Sequence, residues 1–327
     1  MSGLITLKNN FSRIYSRNAA YINPLLKFIM ALIMLYMINA KMGYMQRITS
    51  GAVVLMAALF CSFMPLTFTA ILAGLFVLLH FYALSLEVAI VAAVLLLLMY
   101  ILYLRFVPRE SLAVLLMPIL FLLRAQYLMP VAMGLLGTPF SIFSVAFGVV
   151  LSYLIDYAEK NKDMLAAAAS ENMVTRLREI IDSMIGNKSM ICMIICFSVT
   201  LILVYIIRRM SFDHSWKVAI FGGIITDIIL LTVCLLGMRL DYSMGGILFG
   251  SVFAAVLALV IEFFFHGLDY RQTENLQFED EEYYYYVKAV PKMGAEKRRK
   301  KASSSSSGSS GTSARTVRTA NGVRRTT

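Results

Sequence analysis

The stretch SMICMIICFSVTLILVYII, from Ser189 to Ile207, carries no charge and is bracketed by Lys188 and Arg208. About 20 apolar residues in a helix cover the hydrocarbon core of a bilayer, so this stretch reads as a crossing. The surrounding chain has the same character. Hydrophobic residues make up 59% of its 327 positions and charged residues 15%, with a mean hydropathy of +0.75. A soluble domain is nearer a quarter charged and has too little interior to hide so much apolar surface. The composition therefore excludes a soluble fold. It points to an all-α integral membrane protein, a polytopic helical bundle with the lipid bilayer as its first partner.

Charge delimits nine apolar segments: 24–39, 48–64, 66–84, 87–104, 111–129, 139–155, 189–207, 217–237 and 243–266. Segment 24–39 is read as a first span. The basic stretch before it is long for a signal-peptide n-region, and Asn39-Ala40-Lys41 is a poor end for an h-region. Nine crossings would separate the termini, yet both termini are basic, and basic segments stay in the cytoplasm. We therefore expect about eight crossings with both termini inside. The ambiguity lies in the N-terminal half, where only Met64-Pro65 separates two segments. A second irregular place is Met129–Pro139, with Pro130, Gly134, Gly137 and Pro139. Backbone so easily broken survives at membrane depth only when it is buried in protein or lines a cavity.

The C-terminal half is better oriented. Arg208, Arg209 and Lys217 flank a short inner loop, which places the polar segment 156–188 outside. Its acids, Asp156, Glu159, Asp163, Glu171, Glu179 and Asp182, outnumber its bases. Met173, Leu177, Ile180, Ile181, Met184 and Ile185 share one helical face, so an amphipathic helix is expected, packed by default on its own protein. The chain then divides into a basic cytoplasmic N-terminus (1–20), N-terminal membrane helices (21–155), the exported segment (156–188) and a three-helix membrane unit (189–266). An acidic, tyrosine-rich cytoplasmic segment (267–292) and a basic tail (293–327) follow. Tyr283, Tyr284, Tyr285 and Tyr286, then Val287 to Pro291, suggest a short strand that could bind a partner. The Ser, Gly, Thr and Arg mixture after Ala302 predicts disorder.

The formal net charge of +11 comes from 30 Lys and Arg against 19 Asp and Glu, with the excess at the two ends. It is read as cytoplasmic retention, with attraction to anionic headgroups as a secondary effect, and no nucleic acid is expected. Cys61, Cys192, Cys196 and Cys234 all lie in apolar runs. Cys192 and Cys196 share a face at i, i+4, but no His or acid cluster stands near them in the sequence. They are read as small buried hydrophobes, with no metal site and no disulfide framework.

Ionisable groups inside spans are the sharper signals. Arg124 precedes the Pro/Gly-rich break and suits either a polar site at a discontinuous helix or snorkelling to cytoplasmic headgroups. Asp227 lies mid-span after Gly222-Gly223, where a carboxylate needs a partner or a proton. Pairing of Arg124 with Asp227 is one arrangement, and proton or cation coupling through Asp227 is another. Glu87, His80, Glu262 and His266 are expected at interfaces. Gly246, Gly250, Ala254 and Ala258, spaced by four, form a smooth ridge for close packing against an internal neighbour or a second copy in a homo-oligomer. There is no HExxH, P-loop, GxGxxG or GxSxG motif. No cofactor is expected, and no motif argues for an enzyme.

The segment from Asp269 to Glu274, followed by QFEDEEYYYYVKAVPK from Gln277 to Lys292, resembles the close of the membrane domain in a family of multi-pass membrane proteins from clostridial bacteria. Tyr205-Ile206-Ile207-Arg208-Arg209 and the hairpin after it are similar too. Members of that family are loosely labelled ABC-transporter permeases. The resemblance implies a bacterial plasma membrane. A permease-like or transport-associated subunit of this kind, lacking a nucleotide site, would take ATP energy from a separate ATPase subunit. The alternative is a non-enzymatic scaffold that organises envelope proteins through the exported helix, the ridge or the tyrosine-rich tail.

Overall fold

The computed structural model describes residues 2–161, 173–210, 214–238, 244–266, 274–279 and 284–289. It divides into two units, Met1–Gly267 and Leu268–Thr327. Among the described residues of the first unit every regular element is helical. The α-helices are α1 (Ser2–Lys41), α2 (Gln46–Thr49), α3 (Gly51–Phe63), α4 (Leu66–Leu84), α5 (Leu86–Phe106), α6 (Ser111–Leu122), α7 (Leu128–Leu136), α8 (Ile142–Lys160), α9 (Met173–Met184), α10 (Lys188–Arg208), α11 (Ser215–Met238) and α12 (Met244–His266). A single 3-10 turn, Pro139–Ser141, leads into α8. Among the described residues, seven helical stretches are long and apolar enough to cross a membrane: Arg17–Lys41, Leu66–Leu84, Leu86–Phe106, Pro139–Lys160, Arg178–Arg208, Ser215–Gly237 and Met244–Phe265. This is the architecture of a multi-pass helical membrane protein. The helix of the first apolar segment starts far earlier than expected, at Ser2, and bends at Asn18.

Hydrogen bonds define two ends of the bundle. At one end, here the base, Ser62 donates to the Pro24 carbonyl at 2.8 Å and Lys27 donates to the Met64 carbonyl at 3.1 Å. Thr67 donates to the Pro108 carbonyl at 2.8 Å, and the Tyr103 hydroxyl donates to Ser111 at 2.7 Å. These bonds gather the start of the membrane part of α1, the end of α3, the start of α4 and the end of α5. At the far end, Lys41 at the end of α1 pairs with Asp156 at 2.7 Å and Glu159 at 3.1 Å at the end of α8. His80 lies one turn from the end of α4 but is fully buried, so it is no headgroup-facing group. Its Nε2 lies 2.7 Å from Asn39 Oδ1, and its Nδ1 accepts from the Met45 amide. Glu87, in the first turn of α5, accepts from Ser85.

Segment 111–129 is not a single span. Glu110, just before α6, accepts from Ser141 at 2.8 Å and Ser144 at 3.0 Å, the residues that open α8. A Cβ placed on Gly137, just after α7, would lie 3.3 Å from the same Glu110 carboxylate. The start of α6 and the end of α7 therefore meet at the base, and the chain between them forms a re-entrant helical hairpin. Met117 packs on Gly148 and Phe121 on Tyr153, so α6 runs alongside α8. One break falls at 123–127, before the expected 129–139, and a second at Gly137–Thr138, within it. Pro130 is accommodated in the first turn of α7, where a missing amide proton costs no helical hydrogen bond.

The last three membrane helices run antiparallel in sequence order. Val204 meets Gly223, Thr200 meets Asp227, and Cys192 meets Cys234, which fixes the register of α10 against α11. Arg208, at the end of α10, donates to the carbonyls of Leu135 and Gly137, the latter at 2.8 Å. A cation at the C-terminus of α7 satisfies carbonyls the helix leaves open and complements its dipole.

The helix expected within segment 156–188 is present as α9. Its Ile180 and Met184 are buried in the main core, while Ile181 and Ile185, expected on the same face, are exposed. Ser183 donates to the Tyr157 hydroxyl at 3.0 Å, which seats α9 at the far end. Residues 162–172 of that segment, and the tail from 290 onward, lie outside the described residues. The second unit contains β1 (Glu274–Glu279) and β2 (Tyr284–Ala289), paired antiparallel with Glu274 opposite Ala289 and Glu279 opposite Tyr284. Two strands thus stand where the sequence suggests one.

The hairpin has a direct topological consequence. Single cysteines in place of Arg109 and Thr138, both exposed beside the base, will react with an impermeant maleimide from the same face of sealed vesicles. Reaction from opposite faces would show that residues 111–136 cross the membrane.

Candidate functional site

The tip of the re-entrant hairpin is closed by backbone bonds. The Ala125 amide donates to the Leu120 carbonyl at 2.8 Å, and the Arg124 amide donates to Phe121 at 3.1 Å. This is the 6→1 and 5→2 pair of a Schellman helix end, with Arg124 at the left-handed position, φ 55°. Ala125 and Leu120, the apolar pair that accompanies such an end, are both buried. Glycine normally takes the left-handed position, and a side chain there costs about 1–2 kcal/mol. Placing arginine there projects a cation from the tip: Arg124 is exposed between the two arms. Tyr127 shares a small cavity with Ser189 and Cys192, so the tip points toward the far end, away from Arg208 and the base. Arg124 thus stands on the opposite side of the hairpin from Arg208.

Asp227 is placed by a close helix contact. Gly223 lies one turn before it, and a Cβ there would fall 2.3 Å from Val204 Cγ2, so only glycine lets α11 approach α10 this closely. The approach brings the Thr200 hydroxyl to Asp227 Oδ1, 2.8 Å away. Asp227 is 0% exposed, and its Oδ2 has no hydrogen-bond partner. Arg124 and Asp227 are not brought together. Among the described residues the salt bridges are those of Lys41 with Asp156 and Glu159. The reason is geometric: Arg124 stands outward from the hairpin tip, whereas Asp227 faces α10.

Three further buried oxygens share this state: Thr69 Oγ1 in the first turn of α4, and, nearer the hairpin tip, Gln126 Oε1 and Ser251 Oγ on α12, the last two on residues 7% and 0% exposed. Ser251 follows Gly250, whose Cβ position lies 2.5 Å from both the Arg124 carbonyl oxygen and the Tyr127 ring. Leu231 and Ile247 line one cavity, which sets Ser251 and Asp227 one turn further along their antiparallel helices. The tip, α11 and α12 thus hold three oxygen atoms that are buried and unsatisfied. Such atoms cost about 1–3 kcal/mol each in the absence of a partner. Gln126 and Ser251 were not singled out in the sequence. A polar residue at a helix break and a serine beside the small-residue ridge were the available signals.

The ridge on α12 is used inside the molecule. Gly250 receives the hairpin tip, and Ala254 and Ala258 are fully buried, Ala258 in a cluster with Val131, Leu135 and Val204. The cysteines depart from the sequence reading. Cys192 and Cys234 form a disulfide between α10 and α11, while Cys61 and Cys196 are free and buried. The bridge was hidden because Cys234 is 42 residues from Cys192 and meets it only through helix pairing. Glu262 is partly buried near the end of α12. The side chains of His266 and of Tyr284, Tyr285 and Tyr286 lie outside the described residues, as does Tyr283 altogether.

No family model, curated protein or solved structure matches this chain, so its function is argued from the site. The packing of the site is open to test. Gly250→Val forces a side chain onto backbone, and overpacking of this kind costs about 1–3 kcal/mol. Thermal unfolding in detergent will fall accordingly. Gly237→Ala, whose added carbon meets nothing within 4 Å and whose site is helical, will not lower it.

Proposed function

We propose that this chain is a permease-like, transport-type membrane subunit in which a small hard cation or a proton engages Asp227 beside the re-entrant hairpin. The observation that carries this reading is the set of three buried, unsatisfied oxygens on three elements around the hairpin: Asp227 Oδ2, Ser251 Oγ and Gln126 Oε1. Oxygen donors suit hard cations and protons. Acids inside membrane domains line ion pathways and proton relays as well as forming structural pairs. Helices broken at depth are the usual builders of such sites, because their turns free backbone and side-chain groups that a continuous helix would occupy. Arg124 at the exposed tip sets the charge at the approach from the far side.

In this reading the helices make eight crossings. The short α3 supplies the eighth beside the seven long stretches, and the hairpin enters and leaves from the base. The base is cytoplasmic, since Arg105, Arg109, Arg208, Arg209 and Lys217 stand at that end, while acids balance the bases at the other. The clostridial resemblance favours a bacterial plasma membrane as its location. Energy from ATP would enter through a separate ATPase subunit.

The test is flux into proteoliposomes loaded with proton-, sodium- or potassium-sensitive dye. Asp227→Asn will abolish flux of the transported ion, and Thr200→Val will reduce it, with membrane insertion intact. Arg124→Gly separates function from stability: relief of the left-handed backbone will raise thermal stability by about 1 kcal/mol, while flux falls. Wild-type flux in both Asp227→Asn and Arg124→Gly would remove the reading. Affinity purification from native membranes tests the energy source, a stoichiometric ATPase being the expected companion.

A scaffold is the second reading, favoured by one observation. The β1–β2 hairpin is a two-stranded sheet, which is marginal alone and whose edges carry no further strand among the described residues. A partner strand could dock on either edge. Truncation after Gly267 would then abolish complex formation without unfolding the helical unit.

A further inference from the structure

Cys192, Cys196 and Thr200 follow one another at intervals of four along α10, on the face that meets α11. From α11, Cys234 closes a triangle of sulfur atoms. Cys196 Sγ lies 3.9 Å from Cys192 Sγ and 3.8 Å from Cys234 Sγ. All three sulfurs fall within 4.8 Å of one another. Cys192 and Cys196 are each 2% exposed, and no second copy or loop is needed to complete the set.

Two chemistries could use three clustered cysteines. In thiol–disulfide exchange, a thiolate attacks one sulfur of the bridge in line with the bond that breaks. An in-line attacker stands much closer to the sulfur it attacks than to the leaving one. Cys196 is almost equidistant from the two and lies broadside to the bridge, so exchange is poorly served. A metal ion at the centre of three sulfurs asks for this equidistance. With metal–sulfur bonds of about 2.3 Å, a trigonal site has sulfur–sulfur edges of about 4.0 Å. Both edges from Cys196 already have that length.

We propose that the reduced form of this cluster is a three-sulfur site for a soft d10 cation, of the zinc or monovalent-copper class. Sulfur donors select such ions over hard ones. The Cys192–Cys234 bridge is the oxidised state that closes the site. Opening it takes two electrons from a reductant and two protons, which yields two thiols. Metal binding then displaces a proton from each thiol that ligates as thiolate. The small cavity lined by Tyr127, Ser189, Met193 and Leu235 adjoins the two bridged sulfurs and leads toward the far end of the bundle. Met193, which lines the same cavity, offers a thioether as a further soft donor. This site stands on the sulfur geometry alone and is independent of the reading of Asp227.

The experiment uses the full chain in detergent, reduced with a water-soluble phosphine, whose phosphorus takes up oxygen from water as the bridge gains two hydrogens. Cadmium, an optical stand-in for zinc, will produce thiolate-to-metal charge-transfer absorbance that saturates at one ion per chain. Without the reductant it will not. Cys196→Ala will abolish the absorbance while keeping the Cys192–Cys234 bridge and the unfolding temperature of the parent, which separates metal loss from misfolding. Cys61→Ala will bind as the parent does. As a second measurement, protein produced and purified under phosphine from zinc- or copper-supplemented medium will carry one ion by elemental analysis, and the Cys196→Ala protein none. Absence of metal from the reduced, folded parent, or full binding by Cys196→Ala, would overturn the site.

Discussion

A chain that turns back inside a bilayer leaves the carbonyls of one helix end and the amides of the next without water to bond to, and each such group costs several kcal/mol. In this protein the turn between α6 and α7 closes its own account. Leu120 and Phe121 receive the amides of Ala125 and Arg124, and α7 starts within the same turn through bonds from Leu128 to Ala125 and from Met129 to Gln126. At the base, Arg208 covers the carbonyls of Leu135 and Gly137. The remaining helices are arranged around these closures. α8 packs on the outgoing arm through Gly148, α10 on the returning arm through Val204, and α12 on the tip through Gly250.

Glycine placement does much of the steering. Gly134 and Gly223 both meet Val204, from α7 and α11, so a single valine is clasped from two sides. Those contacts leave no room for a side chain, and they carry Asp227 into a dry position opposite Thr200. Asp227 Oδ2 is left unsatisfied there, as are Gln126 Oε1, Ser251 Oγ and, on α4, Thr69 Oγ1, while the other buried polar side chains among the described residues are largely bonded. Unsatisfied buried groups are few in native structures, and a water or an ion is among their ordinary partners.

The stripe on α10 presents two chemistries to one neighbour. Cys192 and Cys196 face Cys234, and one turn further Thr200 faces Asp227. Sulfur lies toward the far end and oxygen toward mid-depth, so donors pass from soft to hard along the α10–α11 interface. The acid–base cluster of Lys41, Asp156 and Glu159 occupies the far end beside α1 and α8 and is structural, tying the first helix to the eighth.

What the sequence by itself determined follows from length and polarity. Uncharged runs between charged residues locate helices, and the run 189–207 coincides with α10, Lys188–Arg208, to within one residue at each end. Amphipathic periodicity located α9, and the four-residue spacing on α12 marked a real packing ridge. Hydropathy has no sense of direction, however. Segment 111–129 is as apolar as a span, and only the Schellman closure at Arg124 and the meeting of Glu110 with Ser141 and Ser144 turn it back. Likewise Cys192 and Cys196 carry no sign of Cys234, nor Asp227 of Thr200, because partners on different helices are chosen by the register in which those helices pack. Local chemistry decided which residues are helical and buried in apolar surroundings; the tertiary structure alone decided which of their few polar atoms meet and which are left without a partner.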